Sequence, residues 1–99
     1  MSSVIELTIL RGAVEKFMDN MLSVNFISKS RRMFDAMKPA IKNSDDAIFG
    51  YIYGAVIGKF DGIYAILNRQ ATNEEVDEIL KVIQKRTMEI KSRIYETKT

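Results

Sequence analysis

From Ser44 to Leu67 the chain is apolar at nearly every position, and glycines recur every fourth residue at Gly50, Gly54, Gly58 and Gly62. A period of four belongs to a helix and to no strand. Asn43 or Ser44 can cap its start, and Asp45 and Asp46 place negative charge on its positive end, so a helix over about 44–69 is predicted. Each glycine in a helix interior costs about 0.8 to 1 kcal/mol relative to alanine, so four cost roughly 3 to 4 kcal/mol that close packing must offset. In projection the glycines share one side with Ala47, Ala55, Asp61 and Ala65, while Phe49, Ile52, Tyr53, Val56, Phe60 and Tyr64 crowd the other. The large face is expected to fill the core. The small face is expected to admit a second backbone, from this chain or from a partner.

The remaining pattern predicts three more helices. Over 3–22, Leu7, Leu10, Val14, Phe17, Met18 and Met21 form one stripe; Ser2 or Ser3 can cap it, and Ile5 and Ile9 lie off it. Ser23, Val24 and Asn25 are poor helix formers, which predicts a turn before a second helix over 25–37. There Phe26, Ser30, Met33, Phe34 and Met37 cluster, and Pro39 ends the helix. Thr72 and Glu75 have capping-box spacing, and the stripe Val76, Ile79, Leu80, Ile83, Thr87, Ile90, Ile94 then predicts one last helix over 72–96. Four helices with short connections suggest an antiparallel four-helix bundle, with residues 1–99 as a single all-α domain.

Composition narrows the chemistry. The 99 residues contain no cysteine and no histidine, which removes thiol chemistry, the usual zinc sites and every histidine base, so a non-enzymatic protein without cofactor or metal is expected. The small-residue spacing matches that of membrane helices, but the uncharged run from Ala47 to Gly58 is short of the about 20 residues a span needs. The first residues lack the basic start of a signal peptide, so a cytoplasmic location is expected.

Two stretches resemble parts of enzymes. Glu74, Glu75, Asp77 and Glu78 superficially resemble the carboxylate pairs with which all-helical nucleotide pyrophosphohydrolases hold magnesium. A second pair is needed, and Asp45 and Asp46, its only candidates, sit where the helix dipole already accounts for acids. Leu10-Arg11-x-x-Val14 resembles the opening helix of the small helical chorismate mutases over barely a dozen residues, and that family's later site positions have no counterparts here. Neither implies an activity, and no small-molecule substrate is inferred.

Two readings remain. The first is a protein-interaction module (a regulator, inhibitor or assembly subunit) that self-associates through Gly50, Gly54, Gly58, Asp61 and Gly62, with Asp61 expected to be ion-paired. The alternative is a nucleic-acid-binding regulator using Lys29, Arg31 and Arg32 of the second helix with Lys85 and Arg86 of the last. The net charge of +2 is too small to decide for nucleic acid by itself, and the pairs Asp77 with Lys81 and Glu89 with Arg93 suit a solvated, salt-bridged face.

Overall fold

The computed structural model describes residues 6–98. Among them the chain is all-helical, with five helices: α1 (Leu7–Met21), α2 (Val24–Asp35), α3 (Ser44–Ile66), α4 (Asn73–Lys85) and α5 (Thr87–Glu96). They are laid out as three rods rather than the expected four. Contacts from Phe17 to Phe60, Phe26 to Tyr51 and Asp35 to Ser44 run in opposite chain order, so α1 and α2 follow one another along a single line antiparallel to α3. Contacts from Arg11 to Glu78, Glu15 to Arg86 and Arg31 to Ile94 run in the same order, so α4 and α5 form a third rod parallel to the first. A length of 50 Å against widths of 24 and 20 Å fits this arrangement.

Each interruption has a local cause. Ser23 breaks the first rod: its hydroxyl accepts from the Phe26 amide at 3.2 Å and so caps a new helix. The expected single helix over 72–96 is broken at Arg86, which has φ −101° and ψ 11°. The Arg86 N–H is shared between the carbonyls of Val82 and Ile83, and the Thr87 hydroxyl donates to the Ile83 carbonyl at 3.2 Å. That carbonyl is drawn from the regular ladder, as back-bonding threonines do when they bend helices.

α3 stops at Ile66, short of the expected Asn68 to Gln70, through a Schellman motif. Asn68 takes the left-handed conformation at φ 59°; its N–H bonds to the Ala65 carbonyl and that of Arg69 to the Tyr64 carbonyl. At the other end of the loop the Thr72 capping box forms in full. The serine caps expected for the first helix, and Ile5, lie outside the described residues, where α1 begins at Leu7 without a side-chain cap.

The core follows the apolar stripes. Leu10, Val14, Met18 and Met21 of α1 face Ile48, Ile52, Val56, Phe60 and Tyr64 of α3 and Ile79, Val82, Ile83, Ile90 and Ile94 of the third rod. Ile9 is exposed, as its place off the stripe suggests. Met33 and Met37, expected with Phe34 on the inner side of α2, lie outward, and Ile27 takes the buried position instead. No described helix is long and apolar enough to cross a membrane.

Candidate protein interface

α3 carries two interleaved rows, each with a period of four. Ile48, Ile52, Val56, Phe60 and Tyr64 are buried, and Gly50, Gly54, Gly58 and Gly62, offset from them by two residues, are exposed. Two residues advance a helix by about 200°, so at each level a core side chain stands opposite a glycine. A Cβ added at any of the four glycines would meet no atom within 4 Å. Nothing in the described chain packs on them, and the intrachain seam that would have used them is absent.

This outer side is nearly free of charge. α3 has four charged residues, Asp45, Asp46, Lys59 and Asp61. Asp45 is bonded to Arg31 at 2.7 Å and to Lys98 at 3.3 Å, and the Lys59 ammonium lies 5.9 Å above the Phe17 ring. Only Asp46 and Asp61 are left. Asp61 is exposed, and the ion pairs among the described residues do not include it, contrary to expectation. With no element packed over that side, its carboxylate stays hydrated and requires no counter-ion.

The flanks of the open side are aromatic and firmly supported. Tyr51 stacks on Phe26 at 5.6 Å and meets Phe34 edge-on at 5.7 Å, so its half-exposed ring is fixed in place. Along the other flank a groove of about 670 Å³ runs between α3 and α5, lined by Phe49, Gly50, Thr87, Ile94 and Tyr95 together with the charged Asp45, Asp46 and Lys91.

Both ends of α3 are pinned by ion pairs that the pattern of apolar residues did not reveal. At its start, burial pushes the Asp45 carboxyl up, and the hydrogen bonds from Arg31 and Lys98 more than offset this, holding it below its ordinary value. At its end, Arg69 grips Glu75 through two hydrogen bonds of 2.8 and 2.9 Å and covers the Tyr64 ring at 4.9 Å. The hydrogen bond from Arg69 and those from Thr72 hold the Glu75 carboxyl at about 2. Burial, then the Glu75 charge, pushes the Tyr64 phenol up to about 12. The signal for the Arg69 grip was Asn68, one of the few residue types that enter the left-handed region readily.

The five cations of the nucleic-acid alternative are divided. Lys29, Arg32 and Lys85 are exposed. Arg31 is bonded to Asp45, to the Ile94 carbonyl and to Thr97. Arg86 is enclosed by Glu15, Asp19 and Glu89 at 3.1, 2.7 and 3.0 Å. The hydrogen bond to Glu89, then that to Asp19, raises its pKa above the ordinary value despite burial. Within the acidic run, Glu75 and Glu78 are likewise spent on Arg69 and Arg11.

The chain matches no protein-family model, no curated protein and no solved structure.

Proposed function

We propose that this chain is a non-enzymatic protein-interaction module that self-associates through the outer side of α3, serving as a regulator, inhibitor or assembly subunit. One observation carries the reading: a helix of 23 residues, apolar around most of its circumference, is packed on one side and bare on the other. Helices apolar all round are normally buried. In water the bare glycines would leave roughly 3 to 4 kcal/mol of helix propensity unrecovered, and alanine would fit at every one of them. A second helix brought close to the glycine row recovers that cost through backbone contact. The nucleic-acid alternative is supported by fewer free cations, because Arg31 and Arg86 are neutralised internally.

Gly54→Leu tests the reading. Gly54 is exposed and a Cβ there meets no atom within 4 Å, so circular dichroism should remain that of the folded helical protein while sedimentation velocity shows association lost. An unfolded variant, or one that associates like the native chain, overturns it.

A further inference from the structure

We draw no further inference here: the strongest candidate, the groove between α3 and α5 floored by Phe49 and Ile94, is an unpartnered apolar face whose charged residues, Asp45 and Asp46 on α3 and Lys91 on α5, single out no occupant, and nothing in the structure shows what covers it.

Discussion

Val56 and Gly58 stand on opposite sides of α3: the Val56 side chain is wholly buried, while a Cβ at Gly58 would have no neighbour within 4 Å. The same helix is therefore core on one side and bare on the other. Alanine at Gly54 or Gly58 should stabilise a single copy by about 0.8 to 1 kcal/mol each, measured by urea unfolding at a concentration where the chain is monomeric. The same substitutions should weaken association by holding the two backbones apart. A loss of monomer stability would show that something within the chain covers these positions.

Ile83 and Ile90 are each 1% exposed and lie on either side of the break at Arg86. Alanine at either should cost about 2 to 5 kcal/mol through the cavity left behind. Chemical denaturation followed by circular dichroism gives the value, and losses below about 0.5 kcal/mol at both would mean that the third rod buries a different side.

Arg86 joins the two halves of the third rod to α1, since its guanidinium also donates to the Glu15 carbonyl at 3.2 Å. Arg86→Met removes the guanidinium that Glu15, Asp19 and Glu89 share. The expected loss is about 2 kcal/mol, less than for a fully buried group because the carboxylates are partly hydrated. Arg86→Lys should recover only part of it, since an ammonium cannot reproduce the fork. A rise in melting temperature for Arg86→Met would show instead that the cluster strains the bend.

The pairing of Glu75 with Arg69 predicts a specific acid response. The Glu75 carboxyl is held at about 2 against an ordinary value of 4.5, so between these limits the unfolded chain binds the proton more readily. The stabilisation from this group is complete above about pH 4.5 and is lost as the pH falls towards 2. Glu78 and Glu89, each held below its ordinary value by a hydrogen bond from an arginine, Arg11 and Arg86 respectively, act in the same direction. Melting temperature against pH should therefore fall on the acid side, and Glu75→Gln should flatten that fall. An unchanged acid limb in the variant would show that Glu75 takes no part.

Periodicity carried the all-helical class, the start of α3, the Thr72 capping box and the core positions of α1, because these are set by neighbours along one helix. It failed at Arg86, where the stripe from Ile83 to Ile90 runs on in register and the break comes from the Thr87 hydroxyl and from acids 67 or more residues away in α1. Joining α4 to α5 as one helix lost a helix but no rod; the expected fourth rod came from setting α2 beside α1 after the turn at Ser23, where the two in fact follow one another along a single line. The glycine row was legible as an unusual face. That nothing among the described residues covers it was not, because the same spacing serves a seam within one copy equally well. The pairing of Asp61 was inferred from a packed seam and lapses where the side is bare. Sequence also counted Arg31 and Arg86 as free cations, since partners such as Asp45 and Asp19 lie on other helices.

Sedimentation equilibrium of the native chain over a wide concentration range addresses the outer side of α3 most directly. One copy has a mass of 11.3 kDa. Self-association through that side predicts a concentration-dependent rise to twice this mass, abolished by Gly54→Leu with helicity retained. A mass that stays at 11.3 kDa up to millimolar concentration would contradict it.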